Sequence, residues 1–395
     1  MSDPSKALRA IPYGRQSISD EDVAAVVAIL RSDYLTQGPA IERFERDVAA
    51  ECGARYAVAV ANATAALHIG ALALGLKAGD RLWTSPNTFV ASANCALYCN
   101  ARPDFVDIDP RTYNLSVAAL EDKLKQAASA SNLPKIVVPV HFSGQPCEMD
   151  AIARLCRSYG ISVMEDASHA IGAEYKDRRV GSCENSELTV FSFHPVKIMT
   201  TGEGGLLLTN SEALYTKLLA LRSHGITRDP QQMTGPSDGP WYYQQVDLGW
   251  NYRMTDIQAA LGASQLRRLP RFLAQRRALA ARYDELLADL PLIRPWQHPD
   301  GVSSWHLYVV RPDPRRTTVT RAMLYAGLRA AQIFAQVHYI PVHLQPWYQK
   351  LGFGLGEFPE AERYYEGALS LPIYYDFSDA EQDRVVQVLH ALLKE

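Results

Sequence analysis

The sequence predicts an α/β protein: a mostly parallel central sheet flanked by helices, followed by a smaller C-terminal α+β unit. Three observations predict it. Short apolar runs alternate with helical patterns from residue 56 to residue 209, the signature of a parallel sheet whose crossovers cover both faces. Runs such as KIVVPV and ISVME are of the buried strand type, as strands covered on both sides require. From about residue 255 the pattern changes to long helical segments and a few short strands. The division expected is a large α/β domain with an N-terminal arm over 1–265 and a small domain over 266–395.

The elements follow in order. Residues 20–31 (DEDVAAVVAILR) have helical periodicity behind Ser19, a good N-cap. Residues 56–60 (YAVAV) form a strand, followed by Asn62-Ala63-Thr64 and an Ala/Leu helix capped by Thr64. Residues 81–84 (RLWT) form the next strand, then Ser85-Pro86-Asn87 and a helix over 91–98. A strand over 103–108 precedes a helix near 117–128, and strands over 135–140 and 161–165 bracket a helix over 149–159. Two more strands occupy 187–193 and 205–209. Residues 255–290 are helical but interrupted at Pro270, which has no N–H to continue the ladder. Strand-like 305–311, a helix near 319–331, strand-like 335–340 and a terminal helix over 379–394 complete the chain; 235–240 and 354–356 read as surface loops.

At 395 residues the chain exceeds one ordinary domain, and 47% hydrophobic against 21% charged residues supplies a substantial core. A net charge of −3 without a basic tract leaves no electrostatic footprint for nucleic acid and no polybasic membrane anchor. The first residues contain no apolar core of a signal peptide. Residues 57–76 carry no formal charge, but Asn62, Thr64 and His68 lie among them. Those groups would be costly in lipid, so the stretch reads as strand, turn and helix. Of the six cysteines none forms CxxC. Cys95 and Cys99, four apart on one helix face, read as core rather than a metal pair, and no metal site is expected. A chain this long needs no disulfide staples, which fits a reducing cytoplasm.

Four clusters carry chemistry. In Ser192-Phe193-His194-Pro195-Val196-Lys197, followed by Gly202-Glu203-Gly204-Gly205, a strand ends at a proline and one lysine lies in the turn. Alone, such a lysine is a solvated surface cation. In an apolar setting its pKa falls and it becomes an amine nucleophile. In Glu165-Asp166-Ala167-Ser168-His169, two carboxylates end a buried strand, on the edge where ligands of parallel sheets bind. Asp166 either caps the following turn or partners a heterocyclic nitrogen. The small residues of Asn62-Ala63-Thr64-Ala65-Ala66 open a helix, which is either an ordinary turn or an anion site of backbone N–H groups. It is not a P-loop, since no Gly-Lys-Ser/Thr follows. Phe89, after Pro86-Asn87-Thr88, either packs in the core or stacks on a flat ring. Amine, carboxylate, anion cradle and aromatic together are the parts required by pyridoxal 5′-phosphate (PLP).

With Leu35-Thr36-Gln37-Gly38-Pro39 and LGWNYRMTD (248–256) added, these runs resemble, over nearly the whole chain, the DegT/DnrJ/EryC/StrS family of PLP-dependent nucleotide-sugar aminotransferases. The resemblance implies a fold-type I PLP transferase and a homodimer with shared active sites. It implies that Lys197 is the Schiff-base lysine and Asp166 the pyridine-nitrogen partner. His169 would lie near the phenolic oxygen, Phe89 would stack on the ring, and Thr64, Ala65 and Ser192 would contact the phosphate. Asn251 would reach the phosphate of the neighbouring subunit. Tyr13 in PYGRQ, SSWHLY (303–308), and His338, Tyr339 and His343 in HYIPVHLQP are similar to enzymes of pseudaminic acid synthesis. That subgroup implies transfer of the amino group of L-glutamate to the C4 ketone of UDP-2-acetamido-2,6-dideoxy-β-L-arabino-hexos-4-ulose. The product would be UDP-4-amino-4,6-dideoxy-N-acetyl-β-L-altrosamine, by a ping-pong sequence in which the Lys197 amine shuttles a proton. Tyr13, His338, Tyr339 and His343 are candidate sugar contacts, with core packing as the other reading of the last three. The alternatives are another dTDP-, GDP- or UDP-linked keto sugar, a PLP-dependent sugar dehydratase, or a non-catalytic sensor. Dehydratases of the family carry His in place of the lysine, and Lys197 is present here.

Overall fold

The computed structural model describes residues 9–394. Seven strands form the central sheet in the spatial order Tyr56–Val60, Gly205–Thr209, Leu188–Ser192, Ser162–Asp166, Ile136–Val138, Arg81–Thr84, Arg102–Phe105. Only Gly205–Thr209 runs antiparallel to its neighbours; the other pairs are parallel. Gly205 pairs with Val60 and with Ser192, the last residues of their strands. The odd strand therefore begins at the edge where the parallel strands end.

Alternation along the strands divides the core into two layers. Phe191, Leu206 and Leu208 pack with Phe44, Val48 and Phe272 on one face. Val190, Leu207 and Leu188 pack with Leu67, Ile69 and Met164 on the other. Successive side chains of a strand point to opposite faces, so both layers are dictated by the same runs. Each fully buried large apolar side chain contributes about 1.5–3 kcal/mol.

Helix Asp256–Leu286 is continuous, where the sequence suggests a break at Pro270. Burial on both sides of the proline explains this. Leu269, Phe272 and Leu273 lie in the core beside the large sheet, and Leu279, Ala280 and Tyr283 lie in the C-terminal core. Packing at four or more large positions outweighs a penalty of about 3 kcal/mol for an interior proline. The helix is anchored at its start by a capping box of Thr255 and Gln258. The carboxylate of Asp256 accepts the N–H groups of Gly38 (2.8 Å) and Ala40 (2.9 Å), tying it to helix Pro39–Cys52.

The C-terminal part has a three-stranded antiparallel sheet of Leu292–Ile293, Tyr308–Pro312 and Leu369–Leu371. Leu324 and Leu328 of helix Arg321–Ala330 and Val385 and Leu389 of helix Asp379–Leu393 share its core. Ile11–Pro12 pairs parallel with Ile333–Phe334, so the N-terminal segment is fastened to this part of the chain. The strand expected over 335–340 does not form. After Phe334 the backbone bonds leave any ladder: Gln336 exchanges hydrogen bonds with Ser370, the Tyr364 hydroxyl donates to the His338 carbonyl, and Val342 N–H donates to Pro86. This irregular segment lies over the carboxyl edge of the large sheet.

Candidate active site

The strand ends converge on a cavity of about 930 Å³. Asp166 and Ser192 are the last residues of adjacent strands, and Asn62 follows a third.

Helix Ala63–Ala73 opens one wall. Its N-cap is Asn62, not Thr64: the Asn62 Oδ1 accepts the Ala65 N–H at 2.9 Å, and the Asn62 carbonyl accepts Ala66 N–H at 3.1 Å. Asparagine reaches back to the third helical residue better than a residue already inside the helix can. Ala65 lines the cavity with its N–H engaged by this cap. The N–H groups of Ala63 and Thr64 and the hydroxyls of Thr64 and Ser192 have no partner among the described residues, and all four side the cavity. Free donors at the positive end of a helix form a cradle for a dianion. Gly205 lets the antiparallel strand dock against this opening, since a Cβ there would lie 2.4 Å from the Asn62 carbonyl carbon.

Asp166 is buried at the cavity floor. Its Oδ1 accepts Ser168 N–H at 3.1 Å, and its Oδ2 accepts the Ser92 hydroxyl at 2.6 Å. Thr88 lies 2.7 Å from Ser92, and because the Ser92 proton goes to Asp166, Thr88 is the donor in that pair. A carboxylate offers about four lone-pair positions, so Asp166 retains acceptor capacity toward the cavity. Its neighbour Glu165 points to the opposite face of the strand, where His141 Nε2 donates to it at 2.7 Å and the Ser186 and Thr189 hydroxyls also donate. Alternation separates the two adjacent carboxylates.

Lys197 follows the strand Leu188–Ser192 in a loop braced from within. Phe193 N–H donates to the Gly204 carbonyl, Thr201 N–H and the Thr200 hydroxyl donate to the Phe193 carbonyl, and Lys197 N–H donates to the His194 carbonyl. The side chain enters the cavity. Burial, partly offset by the charge of Asp166, lowers its pKa from 10.5 to about 8. At pH 7 about a tenth of the amine is therefore neutral, far more than for a free lysine, and able to act as a nucleophile or a proton carrier.

His169 is buried beside this lysine; its Nδ1 accepts Ser143 N–H at 3.2 Å and its Nε2 lies 3.2 Å from the Tyr339 hydroxyl. Phe89 is exposed into the cavity mouth with its ring 6.2 Å from that of Tyr339. Tyr13 and His338 line the same wall with ring centroids 5.1 Å apart. His338 Nδ1 is paired with the Ser370 hydroxyl at 2.8 Å, and Nε2 has no partner among the described residues. His343 is elsewhere, which corrects its reading as a sugar contact. It is fully buried, bonded through Nε2 to Glu362 at 2.9 Å and packed on Phe358. Asn251 is exposed and does not line this chain's cavity, although Trp250 and Tyr252 do. Ser92 and Ser143 were not visible in the sequence as site residues. Ser92 sits inside an Ala-rich helix, where a serine carries no flag, and only the register of that helix over Asp166 reveals it.

PLP fits these residues. Lys197 offers the amine, Asp166 a buried acceptor, the opening of helix Ala63–Ala73 the free donors for a phosphate, and Phe89 an aromatic face. Among the described residues no cluster of His, Cys, Asp and Glu could hold a metal ion, and no helix is long and apolar enough to cross a membrane.

Residues 16–390 match the DegT/DnrJ/EryC1/StrS aminotransferase family. The chain is 40% identical over 387 residues to the spore coat polysaccharide biosynthesis protein SpsC of Bacillus subtilis, covering 97% of each. The putative sugar aminotransferase Spr1654 of Streptococcus pneumoniae, in its PMP form, superposes with a TM-score of 0.88 at 28% identity over 97% of this chain and 99% of that one. Helicobacter pylori PseC, an aminotransferase involved in the biosynthesis of pseudoaminic acid, gives a TM-score of 0.88 at 29% identity over 98% of this chain and 100% of that one. The chain belongs to this family and is a PLP-dependent sugar aminotransferase with a fold-type I architecture.

Proposed function

We propose that this sugar aminotransferase moves the amino group of L-glutamate to the C4 ketone of a UDP-linked 4-keto-6-deoxy-N-acetylhexosamine of the L-series, as pseudaminic acid synthesis requires. The observation that carries the substrate class is the placement of Tyr13, His338 and Tyr339, from the runs similar to that subgroup, in one cavity wall beside Lys197. The Tyr13 hydroxyl and His338 Nε2, both without a hydrogen-bond partner among the described residues, are placed to meet sugar oxygens. Similarity to PseC supports the same reading.

PLP, when bound, supplies the aldehyde and the electron-accepting ring through which an amino group changes molecules. The chain's own residues do the rest. The Ala63 and Thr64 N–H groups and the Thr64 and Ser192 hydroxyls would hold the phosphate. Asp166, oriented by the Ser92 hydroxyl and the Ser168 N–H, would accept a hydrogen bond from a protonated ring nitrogen of the cofactor. Lys197 would hold the cofactor through its amine and would take and return a proton at Nζ during the transfer. Its lowered pKa matches that duty, because a carrier works best near the operating pH. Phe89 would offer its aromatic face to the cofactor ring, and His169 and Tyr339, in contact with each other, line the same cavity as the lysine. The enzyme works as a cytoplasmic homodimer in which Asn251 reaches the neighbouring chain's phosphate site, and each chain divides near residue 265 into a large and a small domain.

The test is a panel of nucleotide-linked keto sugars offered with L-glutamate, the products being identified by NMR. The UDP-linked acetamido sugar is expected to be aminated at C4. Comparable turnover of a dTDP-linked keto sugar without the acetamido group overturns the substrate assignment.

A further inference from the structure

The turn Phe142–Gly144 contains two residues in left-handed backbone, Ser143 with φ 63° and Gly144 with φ 96°. A serine in that region is uncommon and is retained only where surrounding bonds over-determine it. Here they do. The Ser143 hydroxyl donates to the Leu307 carbonyl at 2.7 Å, and Leu307 N–H donates to the Ser143 carbonyl at 3.2 Å. Phe142 N–H donates to Asn114 Oδ1 at 2.9 Å, and Ser304 N–H donates to the Gly144 carbonyl at 3.1 Å. A Cβ on Gly144 would lie 2.5 Å from the Ser304 hydroxyl and 3.0 Å from both the His169 carbonyl and the His306 nitrogen. The outcome of this bracing is that the Ser143 N–H is aimed at His169 Nδ1, 3.2 Å away.

We propose that this turn locks His169 in one neutral tautomer, with Nδ1 bare and the proton on Nε2, and that Ser143 is the positioning residue of the lock. A backbone N–H only donates, so the nitrogen it meets carries no hydrogen. A neutral imidazole has one N–H, which is therefore on Nε2. That N–H donates to the Tyr339 oxygen at 3.2 Å. With its oxygen so engaged, Tyr339 has its own hydroxyl proton free for the cavity it lines.

The groups facing His169 oppose a second ring proton. They are Lys197, His306, His338 and Tyr339; burial and the charges of Lys197 and His338 hold the His169 pKa well below 6.5. His306, whose ring centroid is 4.3 Å away, restricts rotation of the ring. The lock rests on the proposed function only for its consequence in turnover. The tautomer itself is a property of the protein without substrate.

The experiment has two arms. In apo-protein labelled with 15N-histidine, long-range 1H–15N correlation reads the tautomer of each ring, and the His169 signal is the one lost in His169→Gln. The expected result is the Nε2–H form, unchanged between about pH 6 and pH 9. An Nδ1–H ring, or one that titrates in that range, overturns the proposal whether or not any sugar is turned over. In the holoenzyme, His169→Gln keeps one acceptor and one donor. It is expected to stay within about five-fold of wild-type kcat with an unshifted pH profile, whereas His169→Leu falls about 100-fold with KM nearly unchanged. Ser143→Ala is expected to lose about five-fold in the wild-type background and nothing further in His169→Leu. Full additivity in that cycle shows that Ser143 does not act through His169 and overturns its role. If Ser143→Ala does not fold, Ser143→Gly, which accepts the left-handed backbone, is read in the same cycle.

Discussion

Lys197 loses most of its hydration on entering the cavity, and the nearby carboxylate of Asp166 returns only part of what burial removes. The sign follows: burial disfavours the cation, the pKa falls, and the neutral amine is abundant at a lower pH than for a free lysine. In apo-protein the rate of PLP capture is expected to rise with pH to a midpoint near about 8. A stopped-flow pH series checks this; a midpoint near the ordinary value of about 10.4 contradicts it. Asp166→Asn is expected to keep the fold and to lose at least about 100-fold in turnover, because an amide cannot stabilise a ring cation as a carboxylate does. Thermal melts beside the kinetics separate this from a capping role, in which unfolding would precede loss of specific activity. Lys197 and Asp166 could be read from the sequence because each lies at or just beyond a strand end, where ligand chemistry collects. His338 and His343 could not be told apart that way. The two histidines lie five residues apart in one run, and only the fold sends the first to the cavity and the second to Glu362. His343→Ala is therefore expected to lower stability by about 2–5 kcal/mol while leaving the KM for the sugar unchanged, which chemical denaturation and steady-state kinetics measure together.

The phosphate cradle depends on the approach of strand Gly205–Thr209 to the start of helix Ala63–Ala73, closer than any side chain would allow. Gly205→Ala is expected to cost about 1–3 kcal/mol through forced separation of these two elements and to weaken PLP retention. Dialysis of the loaded protein followed by absorbance checks the second effect; full retention contradicts the cradle. Most strands and helices were legible because the period of the apolar pattern changes cleanly between them. Two stretches were not. The run around Pro270 carries a local stop signal that burial on either side overrides, and tertiary packing has no trace in a local pattern. Residues 335–340 have the composition of a strand, but Gln336 exchanges hydrogen bonds with Ser370, the His338 carbonyl accepts from Tyr364, and just beyond them Val342 donates to Pro86, all partners distant in sequence. The cap of helix Ala63–Ala73 was misplaced by two residues because Asn62 and Thr64 are both competent caps.

On the scale of the molecule, Asn251 is exposed on its own chain while Trp250 and Tyr252 beside it enter the cavity. Large apolar side chains nearby, Trp241 at 68% and Leu248 at 70%, are also open to solvent. In the proposed homodimer a two-fold axis would supply each site reciprocally. Lys197→Ala and Asn251→Ala, each impaired alone, are expected on refolding together to restore about a quarter of wild-type sites, the share set by random pairing in a closed dimer. Failure to recover despite demonstrated subunit mixing contradicts the shared site. The central claim, that this fold exists to hold PLP on one lysine at the sheet edge, has a more direct test. PLP-loaded protein is reduced with borohydride, digested, and the peptides are mapped by mass spectrometry. The account predicts the reduced pyridoxyl group on Lys197; its appearance on a different lysine, or on none in saturated protein, would contradict it.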